Sequence, residues 1–384
     1  MVLLVVAGCG STGSPSGSVP ETRPSPSASF PVSRASQTPT PPYTLDIQTI
    51  PQSWTTPILG ATTDGSEIIW SKGGDTVEGA PDLYSFAPGA SAPTLIYRSP
   101  NRTSQLMPIA VSHGKYAFEE GFANTDRTGG WRLWLVPSAG ASAQLIDSSA
   151  KDPHGMPTPV VWISLTKDRL IWSCVHQTQS GPAFYLRSYE FKTSTIRDLI
   201  AVDPATTEVW YPNADDQGRL IYSTVEYSPN GNVSYHVYFW QITAGAFQPR
   251  RLDSDGTSTE PVLSLDTVVW KSVSGDNVSN AGLLTRYSLA AGTSSQLTLT
   301  GLSTFNDETA GNRYVAAWED HTLFELYDLQ TDSTLVVEKH AATAAEGVVH
   351  QSLAGDMVVF VRILDPSNTN LQLCWLRLPP LSGT

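Results

Sequence analysis

Apolar positions in this chain fall into short runs that end on an aromatic, and the run recurs seven times. The copies are Glu67–Trp70, Lys115–Phe118, Arg169–Trp172, Arg219–Tyr222, Thr267–Trp270, Val315–Trp318 and Met357–Phe360. Successive aromatics are 48, 54, 50, 48, 48 and 42 residues apart. A second signature follows in each repeat: an aromatic, a spacer and an apolar residue before a turn. It reads Tyr84-Ser85-Phe86, Trp134-Leu135-Val136, Tyr189-Glu190-Phe191, Trp240-Gln241-Ile242, Tyr287-Ser288-Leu289 and Tyr327-Asp328-Leu329, and the last copy, Leu376-Arg377-Leu378, has lost its aromatic. A further short strand closes most repeats, at Thr94–Tyr97, Gln144–Ile146, Ile196–Ile200, Arg250–Leu252, Gln296–Leu299 and Leu335–Val337. Strand, turn and strand at close spacing predict successive antiparallel hairpins. The middle strands are nearly continuous in apolar residues, as expected of sheets covered on both faces.

A period of this size, filled with strands, predicts an all-β chain: a seven-bladed β-propeller with four-stranded antiparallel blades. The last repeat ends in Pro379-Pro380, which supplies no backbone donor for a paired strand. Tyr43–Ile50 alternates like a strand and precedes the first repeat without a partner of its own. The economical prediction is that this N-terminal strand pairs with Leu371–Leu378, closes the ring and removes an exposed edge. Such a scaffold does not by itself specify a function.

Asp64-Gly65-Ser66-Glu67-Ile68-Ile69-Trp70 followed by Asp82-Leu83-Tyr84-Ser85-Phe86 resembles the WD40-like repeats of the bacterial TolB-type propellers. The similarity covers residues 43–380 as architecture. It implies the fold and an extracytoplasmic compartment, and does not carry over the role of TolB.

The apolar start Met1–Gly8 runs into Val6-Ala7-Gly8-Cys9, which resembles a bacterial lipobox. That resemblance implies acylation of the Cys9 sulfur, with the lipid holding the protein at the membrane of the cell envelope. Gly10–Pro42 is almost wholly Ser, Thr, Pro, Gly and Ala, too poor in apolar surface to fold and rich enough in proline to act as a semi-stiff tether. The predicted organisation is a signal remnant at 1–9, a tether at 10–42, the propeller at 43–380 and a tail at 381–384.

The net charge of −13 argues against nucleic acid and against electrostatic docking on anionic lipid, so contact with the membrane is expected through the anchor alone. Cys174 and Cys374 lie in apolar strands of separate repeats and read as buried, inert thiols. The chain holds neither a Gly-x-Ser-x-Gly nucleophile turn nor a His-Glu-x-x-His metal motif, and its seven histidines are scattered. No catalytic residue, metal site or cofactor is therefore predicted.

One constellation stands out. Just before the innermost strands the sequence reads Thr207-Glu208-Val209, Thr259-Glu260-Pro261 and Ala345-Glu346-Gly347. If these align, Glu208, Glu260 and Glu346 ring one mouth of the channel and favour a bound cation or cationic group. Trp210, Tyr211 and Trp162 near the same strand starts are core side chains or an aromatic floor for a ligand, and His350 lies on a predicted innermost strand. The alternative is that the carboxylates are solvated rim residues or bond backbone amides between blades. Two function classes follow. The first is a monomeric, lipid-anchored module that binds a protein, peptide or glycan. The second is an extracytoplasmic hydrolase or lyase with its site in the channel.

Overall fold

The recurring aromatics become the core because each sits on the second strand of a sheet, with neighbouring sheets packed on both faces. Trp70, Phe118, Trp172, Tyr222, Trp270 and Phe360 are all buried. The computed structural model describes residues 32–33, 45–55, 57–73, 81–101, 104–122, 130–148, 162–242, 248–272, 283–297, 308–310, 314–319, 323–329, 331, 333–340, 347–364 and 370–378.

Each sheet is a meander in chain order. The first runs over Ile58–Thr63, Ile68–Lys72, Asp82–Phe86 and Thr94–Arg98, and the second over Ser104–Ser112, Lys115–Phe122, Trp131–Val136 and Gln144–Ser148. The third comprises Ile163–Leu165, Arg169–Thr178, Gly181–Glu190 and Thr195–Val202. The fourth comprises Thr207–Ala214, Arg219–Tyr227, Val233–Gln241 and Arg250–Arg251. The sixth comprises Glu308–Ala310, Tyr314–Glu319, Leu323–Asp328 and Ser333–Lys339.

Two sheets depart from the simple meander. The fifth contains Ser258–Ser264, Thr267–Ser272, Leu283–Ser288 and Thr293–Leu297, and adds Val32–Ser33 in parallel on its outer edge. The closing sheet takes Gly347–Ala354, Met357–Ile363 and Leu371–Arg377 from the C-terminal end, and Gln48–Thr49 from the N-terminal end. Gln48 stands opposite Trp375 and Thr49 opposite Cys374, while the Ile50 amide donates to the Leu373 carbonyl at 2.9 Å. The expectation of seven four-stranded blades is corrected accordingly: among the described residues six sheets have four strands and one has five. The outer strand of the fifth sheet begins earlier than expected, at Thr293 rather than Gln296.

The first strand of every sheet touches the first strand of the next, and Gly347–Ala354 touches Ile58–Thr63, so these strands form the inner ring. The hydrophobic core lies between sheets rather than within one. Ile69 and Leu83 of the first sheet cluster with Leu106 and Phe118 of the second. Met357 and Val359 of the closing sheet cluster with Ile68 and Trp70 of the first and with Ile50 of the closing segment. Each side chain of this kind contributes about 1.5–3 kcal/mol when fully buried. The ring is therefore held by its inter-sheet contacts, and the inner strands are left to carry polar groups.

Candidate functional site at the innermost strands

The innermost strands bulge, and the bulges decide which residues are equivalent. In the fourth sheet Trp210 pairs with Ser223, the register then shifts, and Asn213 pairs with Ile221. In the fifth sheet Thr259 pairs with Lys271 and, after the shift, Val262 with Val269. In the closing sheet the same shift falls between Val349 and Ser352. Tyr211, Glu260 and His350 thus occupy one structural position. The expected alignment of Glu208 with Glu260 is corrected: Glu208 lies three residues ahead of that position, opposite Val225. A bulge adds an unpaired residue that the sequence alone does not reveal.

Tyr211 and Glu260 share an unusual backbone. Their φ angles are 52° and 51°, in the left-handed region. For a residue with a Cβ this costs about 1–2 kcal/mol, and such strain gathers at functional positions. The two side chains meet across the sheet boundary, where the Tyr211 hydroxyl donates to Glu260 Oε1 at 3.3 Å. Behind them, Lys271 Nζ donates to Glu260 Oε2. The Lys271 side chain is 1% exposed and that of Glu260 15%. Glu260 is therefore the counter-ion of a buried lysine as well as a residue of the inner ring.

Glu208 has different company. Trp210 Nε1 donates to its Oε2 at 2.8 Å, and the Tyr227 hydroxyl also donates to its carboxylate. Burial pushes the Tyr227 hydroxyl up to about 12, and the Glu208 charge adds to that shift. The neighbouring Glu226 accepts from Tyr238 at 3.3 Å and from Thr224 at 3.2 Å. Aromatic rings continue the patch: Trp210 meets Phe184 edge-on at 5.2 Å, and Tyr211 lies against Trp162 at 4.3 Å between centroids. Trp162 Nε1 is buried and makes no hydrogen bond among the described residues.

Glu208 and Glu260 do not stand at one position of the inner ring, as their spacing had suggested. Glu208 and Trp210 are held together, Glu260 is held by Tyr211 and Lys271, and Glu346 lies outside the described residues. His350 is placed on the inner strand by the backbone. Cys9 and the tail also lie outside the described residues, as does the expected tether apart from Val32–Ser33, which corrects the expectation of an unfolded 10–42 by pairing as a strand on the fifth sheet. Sequence reasoning offered Tyr211 and Trp162 with Trp210 as an aromatic floor, but passed over Lys271 and the bulges. The pre-proline pairs Tyr211-Pro212 and Glu260-Pro261 were the available signal, because each marks a bulge.

A second polar cluster lies between the second and third sheets. Asp147 Oδ2 accepts from Trp172 Nε1 at 2.9 Å and from Arg187 Nη1 at 3.0 Å, and lies 3.2 Å from His176 Nε2. Cys174 Sγ is 4.0 Å from the same oxygen. Burial alone raises the Asp147 carboxyl, but His176 and Arg187 outweigh it and hold the group below its usual range. Burial, reinforced by Asp147, pushes the Cys174 thiol well up.

No known sequence family matches this chain. No curated protein matches it either. Solved structures do. The β-propeller domain of the trilobed protease from Pyrococcus furiosus superimposes with a TM-score of 0.58 at 9% identity, over 83% of this chain and 94% of that one. Oligogalacturonate lyase from Vibrio parahaemolyticus gives 0.57 at 11% identity, over 87% of this chain and 97% of that one. These likenesses show the fold, an all-β propeller of four-stranded antiparallel blades. TolB from Acinetobacter baumannii matches at 12% identity over 82% of this chain and 80% of that one, with a TM-score of 0.43 that carries no argument.

Proposed function

We propose that this chain is a binding module that takes a basic segment of a protein or peptide onto the innermost strands of its fourth and fifth sheets. The observation that carries this reading is Glu208, a carboxylate held by the Trp210 indole beside the strained pair Tyr211 and Glu260. A lysine or arginine head group set against Glu208 gains a carboxylate and the face of an indole. Such a cation–π contact contributes about 0.5–2 kcal/mol. The protein's net charge of −13 steers the same kind of partner toward it.

The alternative, a hydrolase or lyase working in the channel, gains less support. Four of the buried or part-buried carboxylates already have basic partners: Glu260 has Lys271, Asp147 has Arg187, Asp253 has Arg251 and Glu338 has Arg362. A proton-transfer group tied to a permanent cation is poorly placed to cycle its proton near neutral pH.

The binding reading is tested with a lysine-rich peptide and its glutamate-rich counterpart, measured by calorimetry. The basic peptide is expected to bind and the acidic one not, with Glu208→Gln weakening the interaction roughly tenfold, the factor carried by 1.4 kcal/mol. Equal binding of both peptides rejects the proposal. The same reading places the module outside the cytoplasm, tethered through Cys9. Mass spectrometry of the protein from its native membrane is expected to find an acyl group on Cys9, and Cys9→Ser to release the protein into the soluble fraction. An unmodified, soluble wild type would reject the anchor.

A further inference from the structure

The cluster between the second and third sheets has a use that ion pairing does not exhaust. Cys174 and His176 are two apart on one strand, so both project to the same face. The outer strand of the preceding sheet brings Asp147 to that face. One thiol sulfur, one imidazole nitrogen and one carboxylate oxygen then lie within 4.8 Å of one another. Sulfur, nitrogen and oxygen donors gathered to this extent are the donor set of a tetrahedral zinc site with one position left for water. The supports expected around such ligands are also present. Trp172 Nε1 fixes the Asp147 carboxylate, and the rings of Trp131 and Tyr185 stand edge-on to His176 at 5.6 and 5.8 Å.

One group opposes a metal. Arg187 Nη1 donates to Asp147 Oδ2 at 3.0 Å and to His176 Nε2 at 3.2 Å, so a cation already sits where the ion would go. Its side chain has a second carboxylate in hand, because Arg187 Nε donates to Asp198 Oδ1 at 2.8 Å. Its guanidinium lies 5.0 Å from the Tyr185 ring centroid, a face it can keep while turning outward. A shift of Arg187 toward Asp198 uncovers both ligand atoms and leaves the arginine paired.

We propose that Asp147, Cys174 and His176 form a binding site for a thiophilic divalent cation of the zinc class, with Arg187 as the displaceable cation that fills it in the metal-free protein. On binding, a metal–sulfur bond replaces the Cys174 S–H bond and the proton leaves to solvent. The bound carboxylate and thiolate neutralise the ion, and Asp198 takes over Arg187. This site is separate from the inner-strand patch and does not rest on the peptide-binding reading.

Cobalt(II) is the probe. The experiment uses the full chain carrying Cys9→Ser, so that the remaining thiols are Cys174 and Cys374. One equivalent of Co²⁺ is expected to give a near-ultraviolet thiolate-to-cobalt charge-transfer band that Zn²⁺ bleaches by displacement. Cys174→Ser is expected to abolish the band and Cys374→Ser to leave it. Arg187→Gln removes the competing cation and is expected to tighten Co²⁺ binding by about tenfold or more. Asp198→Asn removes the acceptor that Arg187 moves to, and is expected to weaken binding without touching the ion. Absence of the band in the parent protein overturns the proposal even if a variant fails to fold. So does a band that survives Cys174→Ser, or an affinity unchanged by Arg187→Gln.

Discussion

Glu208 and Glu260 lie on neighbouring innermost strands, each follows a threonine, and each touches an aromatic side chain, yet they are different kinds of residue. Glu260 sits inside a bulge with a left-handed backbone and holds the buried Lys271. Glu208 sits in regular pairing ahead of the bulge and is held by an indole N–H and a phenol. The first is half of an internal ion pair and is fixed by the fold. The second is an anion whose neighbours are aromatic, and it remains able to meet a cation from outside. Two glutamates that look alike in sequence are therefore held in different ways, and under the proposed binding they divide the work between architecture and recognition.

The sharpest way to break this comparison is to remove the internal partner. Lys271→Met leaves Glu260 largely buried and uncompensated, which costs about 3–5 kcal/mol. Glu208→Gln keeps the aromatic neighbours and is expected to stay within about 0.5 kcal/mol of the parent. Denaturant unfolding of the two variants measures both, and similar losses would erase the distinction.

A smaller effect separates the two in binding. Trp210→Ala is expected to weaken a lysine-rich peptide by about 2 kcal/mol, as a buried aromatic anchor does. Lys271→Met, at a temperature where it is folded, is expected to leave the peptide affinity within about threefold. Calorimetry at that temperature gives both values, and a larger loss in Lys271→Met than in Trp210→Ala would reverse the assignment of roles.

Titration sharpens the picture further. Tyr227 ionises at about 12 in the folded chain, against roughly 10 when unfolded. Because the folded value is raised, its contribution to stability is complete below about pH 10 and is lost as pH climbs toward 12. Glu208→Gln removes the charge but not the burial, so the Tyr227 transition is expected to fall only part of the way toward its ordinary value. Ultraviolet titration of the phenols, read as the difference from Tyr227→Phe, follows it. An unmoved transition would separate Glu208 from Tyr227.

The smallest expected effect is that of salt. Raising ionic strength from about 0.1 to 1 M shortens the screening length from about 10 to 3 Å. Peptide binding at Glu208 is expected to weaken, while the buried Lys271–Glu260 pair keeps its share of stability. Equal sensitivity of affinity and stability would place both glutamates in the same solvent.

Much of the fold was legible in the residue pattern because a β-strand's preference is local. The recurring aromatics fixed which positions are buried, and the proline-rich end together with the unpartnered Tyr43–Ile50 segment pointed to the pairing seen at Gln48–Thr49. Glu208 and Trp210 were also legible as neighbours, because two residues along a strand lie on one face. Tertiary structure alone decided the rest. A bulge inserts a residue at a place set by packing against the next sheet, and it made Tyr211, Glu260 and His350 equivalent where the sequence had aligned Glu208 with Glu260. Contacts between sheets join residues remote in the chain, so no local pattern announced that Asp147 would meet Cys174 and His176, or that Tyr211 would reach Glu260. Strand period and burial are properties of a segment, whereas the pairing of charges is a property of the closed ring.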